Sequence, residues 1–164
     1  MRLAALAVLT VLALLAQTSL LPQVLPVGLR PDLPVLVVLT WGLAFGGGQG
    51  LIAAAFSGVL LDSLSAVPFG AHLLALVPAV LLGAARETDL FASRASLPFV
   101  LVPLSTLGYY VVLVSLFGVA GREMHLDREL PGMAGALVVN ALVSPLLFLV
   151  SWGAAVRYSD RRVF

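Results

Sequence analysis

Between Leu33 and Leu61 the chain carries no Asp, Glu, Lys or Arg. As one helix this run would be about 43 Å long, against a bilayer hydrocarbon core of about 30 Å. It is too long for one straight span. Gly46-Gly47-Gly48-Gln49-Gly50 stands in its middle. Glycine is the costliest ordinary residue, after proline, to hold inside a helix, so adjacent glycines mark where a helix breaks. Two short helices are expected, about 33–46 and 50–64, joined by a tight turn.

The rest of the chain has the same character. Charged residues are 10% of the sequence and hydrophobic ones 61%, and the mean hydropathy is +1.11. A soluble domain carries roughly 25% charged residues, so lipid must cover most of this surface. The expected fold class is an all-α polytopic membrane protein with six transmembrane helices. Residues 1–164 form a single integral membrane domain, with spans at about 3–21, 33–46, 50–64, 69–85, 97–119 and 133–156. The first span follows Met1-Arg2 and lacks a small-x-small cleavage site, so an uncleaved anchor is expected. With no Cys, disulfides and thiolate metal sites are excluded. The net charge of +1 gives no basis for a nucleic-acid partner; membrane lipids are the expected surroundings.

The nine basic residues are all Arg, and their positions bear on orientation through the positive-inside rule. With six spans and the N-terminus inside, Arg2, Arg86, Arg94, Arg157, Arg161 and Arg162 lie on the cytoplasmic side, and Arg30, Arg122 and Arg128 on the other. Five spans with the N-terminus outside give the same bias. Both versions place the C-terminus in the cytoplasm. The long run at 33–61 and the basic N-terminus favour six, with the N-terminus cytoplasmic as well. The stretches Pro22 to Asp32 and Gly121 to Gly132 are expected as surface loops.

Several residues stand out against the apolar background. Gly42, Gly46, Gly50, Ala54 and Gly58 recur every four residues. Small residues at that spacing let helices approach closely in lipid, within the chain or on a partner-binding face. Asp62 follows Val59-Leu60-Leu61 and precedes Pro68, Gly70 and His72. A carboxylate in a span costs a few kcal/mol unless it finds water or a partner. It could accept backbone bonds from Ser63 to Ser65, pair with His72, or belong to a ligand site. His72 alone is no metal site, and His125 sits in a charged loop. Asn140 is expected to bond a neighbouring helix, with Pro145 five residues on. Pro78, Pro103 and Pro145 each remove a backbone bond inside a span and should kink it. Ala55-Phe56-Ser57-Gly58 is a poor match to a serine-nucleophile motif, and no Lys-Ser/Thr follows the glycines to make a phosphate loop. No catalytic, cofactor or metal site is expected.

The stretch from Gly50 to Arg86 resembles the signature region of the MreD family, through Gly50, Gly58, Leu60, Leu61, Asp62, Ser65, Pro68, Gly70, His72 and Arg86. Asn140-Ala141-Leu142 with Pro145 is similar to the family's terminal helix, and Arg30-Pro31-Asp32 also fits. The resemblance implies a non-catalytic component of the cell-elongation complex in the bacterial inner membrane. MreC is the implied direct partner. RodA and the elongation-specific penicillin-binding protein are further partners, and MreB an indirect one. It also implies a distant likeness to the S-components of energy-coupling vitamin transporters, and such a substrate-binding subunit is the alternative function. Against it, the first span has no Ala-x-x-x-Ala, which those subunits carry, and few polar residues could line a solute pocket.

Overall fold

The structure is a computed structural model that describes residues 2–65, 67–84, 97–121 and 126–159. Among these residues it is helical, with no strand. We number the helices α1 (Arg2–Val24), α2 (Leu33–Phe45), α3 (Gly47–Leu64), α4 (Ala71–Ala84), α5 (Leu97–Val119) and α6 (Leu126–Ser159). Stretches in four of them are long and apolar enough to cross a membrane: Arg2–Val24, Gly47–Leu64, Phe99–Val119 and Glu129–Leu146. Leu33–Phe45 and Ala71–Ala84 are apolar but shorter. The chain is an all-α integral membrane protein.

The uncharged run breaks at Gly46. This residue has φ 94° and ψ 167°, a backbone region open essentially to glycine alone. Its N–H still closes the last turn of α2 on the Gly42 carbonyl, at 2.7 Å. The turn therefore needs one residue, and α3 begins at Gly47.

α2 is the centre of the bundle and packs against all five other helices. Its buried residues, Pro34, Val35, Leu36, Val38, Leu39, Gly42 and Ala44, lie on every side of the helix at 100° per residue. A helix apolar all round belongs inside. α1 is the opposite case. Only Leu6, Thr10 and Leu14 of its first fourteen residues are buried, one stripe at four-residue spacing, laid against α2 and α3. The Arg2 guanidinium sits 5.7 Å from the Phe45 ring centroid, so the start of α1 and the Gly46 turn share one end of the bundle.

Close packing rests on glycines. A Cβ on Gly42 would lie 3.1 Å from the Gly83 Cα and 3.6 Å from the Gly50 Cα, so α2, α3 and α4 meet backbone to backbone there. A Cβ on Gly58 would lie 2.6 Å from the Leu73 Cα. On α5, a Cβ at Gly108 would reach the Pro78 ring at 2.7 Å.

The prolines behave differently from one another. α4 is interrupted at Leu76, and Pro78 follows in the first turn of its second half, where a missing N–H costs little. α5 and α6 continue through Pro103 and Pro145. Pro145 frees the Ala141 carbonyl, and the Ser144 hydroxyl donates to it at 2.7 Å.

Two loop expectations need correction. α6 begins at Leu126, so Asp127 and Glu129 occupy its first turn rather than a loop reaching Gly132. Carboxylates there complement the positive end of the helix dipole. The connection from α1 to α2 exists, but it is not simply a surface loop. α1 passes Pro22 and ends at Val24, a short 3-10 turn follows at Val27–Leu29, and that turn packs on α6. Gly28 and Gly135 touch so closely that a Cβ on Gly135 would overlap the Gly28 carbonyl.

Candidate functional site

Two polar clusters lie within the bundle, and each finishes a helix N-terminus. The first N–H groups of a helix have no partner inside it. In a membrane protein something else must bond them.

Asp62, 5% exposed near the end of α3, serves the start of α4. Its Oδ2 accepts the Gly70 N–H at 2.8 Å, and its Oδ1 accepts the His72 N–H at 3.0 Å. Oδ1 also accepts the His72 ring Nδ1–H at 2.8 Å, so the ring proton sits on Nδ1. The Ser65 hydroxyl lies 3.5 Å from the same nitrogen. Gly70 has φ 98° and ψ −11°, as at the third position of a type II turn. The Ala71 N–H closes that turn on the Pro68 carbonyl at 3.1 Å. Asp62, Pro68, Gly70 and His72 thus form one unit. The donors to Asp62 are Gly70 and His72, not Ser63 to Ser65; the Ser63 hydroxyl donates to the Val59 carbonyl instead.

The second cluster caps α2. Its first N–H groups are taken by side chains from two other helices. The Asp32 N–H donates to Asn140 Oδ1 at 3.1 Å, and the Leu33 N–H donates to Gln17 Oε1 at 2.9 Å. The Asn140 amide donates onward to Thr106 Oγ1 at 3.0 Å, and Thr106 donates to the Val102 carbonyl at 2.9 Å. The Asp32 carboxylate accepts from Gln17 Nε2 at 3.3 Å and from the Tyr110 hydroxyl. Gln17 can reach both groups because α1 has a π-helical turn at Ala16–Leu20. That turn precedes Pro22, which has no N–H to continue an α-helical ladder. Arg30 faces the other way, donating to the Leu25 and Pro22 carbonyls at the end of α1.

Tyr109 and Tyr110 connect the clusters. Their rings are 5.3 Å apart, edge to face, and Tyr109 lies 6.4 Å from the His72 ring.

The structure therefore brings Asp62, Pro68, Gly70 and His72 together, and separately Gly42, Gly50 and Gly83. Gly46 is at the turn between α2 and α3. Asn140 stands in the second cluster, and Pro145 lies further along α6. Arg86 lies outside the described residues, as do Arg122, Glu123 and His125. Ser57 is fully buried, with no hydrogen-bond partner for its hydroxyl among the described residues. Gln17, Asp32, Thr106 and Tyr110 join the site without standing among the residues that the sequence marks as candidates. Polar side chains inside apolar spans are the signal for three of them, and nothing in the sequence pairs them.

Asn140→Ala removes the acceptor for the Asp32 N–H and the donor to Thr106. We expect a loss of about 1–3 kcal/mol of stability, read as a lower thermal midpoint in detergent.

No curated protein and no solved structure matches the chain. The family model described as rod shape-determining protein MreD matches residues 1–151. With that match covering nearly the whole chain, this integral membrane protein belongs to the MreD family of rod shape-determining proteins.

Proposed function

We propose that the chain is a non-catalytic binding component of the bacterial cell-elongation complex. It holds the membrane anchor of MreC and so helps position or regulate peptidoglycan synthesis by RodA and the elongation-specific penicillin-binding protein. MreB is linked to it indirectly. It resides in the inner membrane as a six-span protein, both termini in the cytoplasm.

The observation that supports a binding role is how the polar groups are used. The side-chain atoms of Asp62 and Asn140 serve helix ends and neighbouring side chains. The small residues Gly42, Gly50 and Gly58 face other helices of the same chain. This stripe is not open to a partner, so the MreC anchor docks on the outer apolar surface. That surface is broad: Phe69 is 72% exposed, Leu142 73% and Leu81 66%.

The test is affinity purification of the tagged full chain from native membranes in mild detergent, with the retained proteins identified. MreC is expected in stoichiometric amount. Its loss in the wash would remove the main support, and retention of a transporter ATPase instead would replace this reading.

A further inference from the structure

We propose that Asp32 is a proton-operated latch on the connection between α1 and α2, closed when its carboxyl is neutral and loosened when it ionises. The proposal concerns the fold and is independent of which partner the protein binds.

The groups that bond Asp32 are neutral. From α1 it meets Gln17, from α5 Tyr110, and from α6 Asn140 binds its backbone N–H. The cation on its own segment, Arg30, is turned to the Leu25 and Pro22 carbonyls. The remaining titratable groups nearby are Tyr109 on α5, His72 on α4, Asp62 on α3, and Glu129 on α6, which acts on Tyr110. His72 is already bonded to Asp62. Among the described residues, an ionised Asp32 therefore has two neutral donors and no bonded cation, an expensive arrangement away from water. Burial pushes its carboxyl above the ordinary aspartate range.

A phenol makes both states possible, since its hydroxyl donates or accepts. Facing a carboxylate, Tyr110 donates. Facing a carboxylic acid, it accepts the acid proton while Gln17 still bonds the other oxygen. The neutral state keeps both side-chain hydrogen bonds of Asp32 without a buried charge. Ionisation instead favours water reaching Asp32. Gln17 holds both the carboxyl and the Leu33 N–H, so the end of α1 and the start of α2 loosen together.

The sign follows from linkage. A carboxyl that holds its proton more tightly when folded adds stability that is full below its unfolded pKa and is lost as pH rises through its folded pKa. Asp32→Asn keeps the neutral hydrogen bonds and cannot ionise. In thermal unfolding of the full chain in detergent from about pH 4 to 8, the wild-type midpoint should fall relative to Asp32→Asn by roughly 3–6 °C. Parallel profiles would overturn the latch. Infrared spectra of the wild type serve if that variant does not fold. A neutral-carboxyl band should persist above the ordinary aspartate range, shift in Tyr110→Phe and vanish at higher pH. Absence of that band, or a band unmoved by Tyr110→Phe, would contradict the proposal.

Discussion

Asp62→Ala is expected to lower the stability of the detergent-solubilised protein by roughly 3 kcal/mol, without altering any turnover. The side chain accepts three hydrogen bonds, from the Gly70 and His72 N–H groups and the His72 ring. Alanine leaves two backbone donors bare at the start of α4, with the ring nitrogen beside them. Losing a helix cap alone costs about 1 kcal/mol, and each buried unsatisfied group adds about 1–3 kcal/mol. The thermal midpoint should drop by roughly 6–12 °C. Asp62→Asn should fall between the two, since it keeps one acceptor oxygen. An unchanged midpoint for Asp62→Ala would mean that the carboxylate does not organise this turn.

Gly58→Ala should cost a comparable amount for a different reason. The added methyl would stand 2.6 Å from the Leu73 Cα and 2.9 Å from the Leu73 nitrogen. These are backbone atoms of α4 and cannot rotate away. α3 and α4 must separate by several tenths of an ångström, close to the bonds that Asp62 makes. Overpacking of this kind costs about 1–3 kcal/mol. Gly48→Ala is the control, because a Cβ there meets nothing within 4 Å. Equal midpoints for the two variants would contradict the close approach of α3 and α4.

The helical membrane class was legible because it depends on composition, and 10% charged residues cannot cover a soluble protein. Asp62 and Asn140 stood out because polar atoms are rare in apolar spans. Their partners did not. Asp62 bonds residues eight and ten positions away across a turn, where several nearby donors were equally available on paper. Asn140 bonds Asp32, 108 positions away, a distance no local pattern encodes. Asp32 reads as a surface residue because Arg30 and four prolines surround it. It lies inward because α2 is short and its first N–H groups must be bonded by α1 and α6. The π-helical turn that aims Gln17 leaves only Pro22 as a trace. The glycine stripe was visible as a spacing, but spacing alone does not say whether the facing helix belongs to this chain or another.

Amide hydrogen exchange of the full chain in nanodiscs tests the place of α2 most directly. If α2 is the all-round-buried centre, capped by Gln17 and Asn140, its amides from Leu33 onward exchange more slowly than those of α1, which is buried along one stripe only. If the α2 amides exchange as fast as those of α1, or the Leu33 amide is unprotected, the short helix is not the core of this bundle.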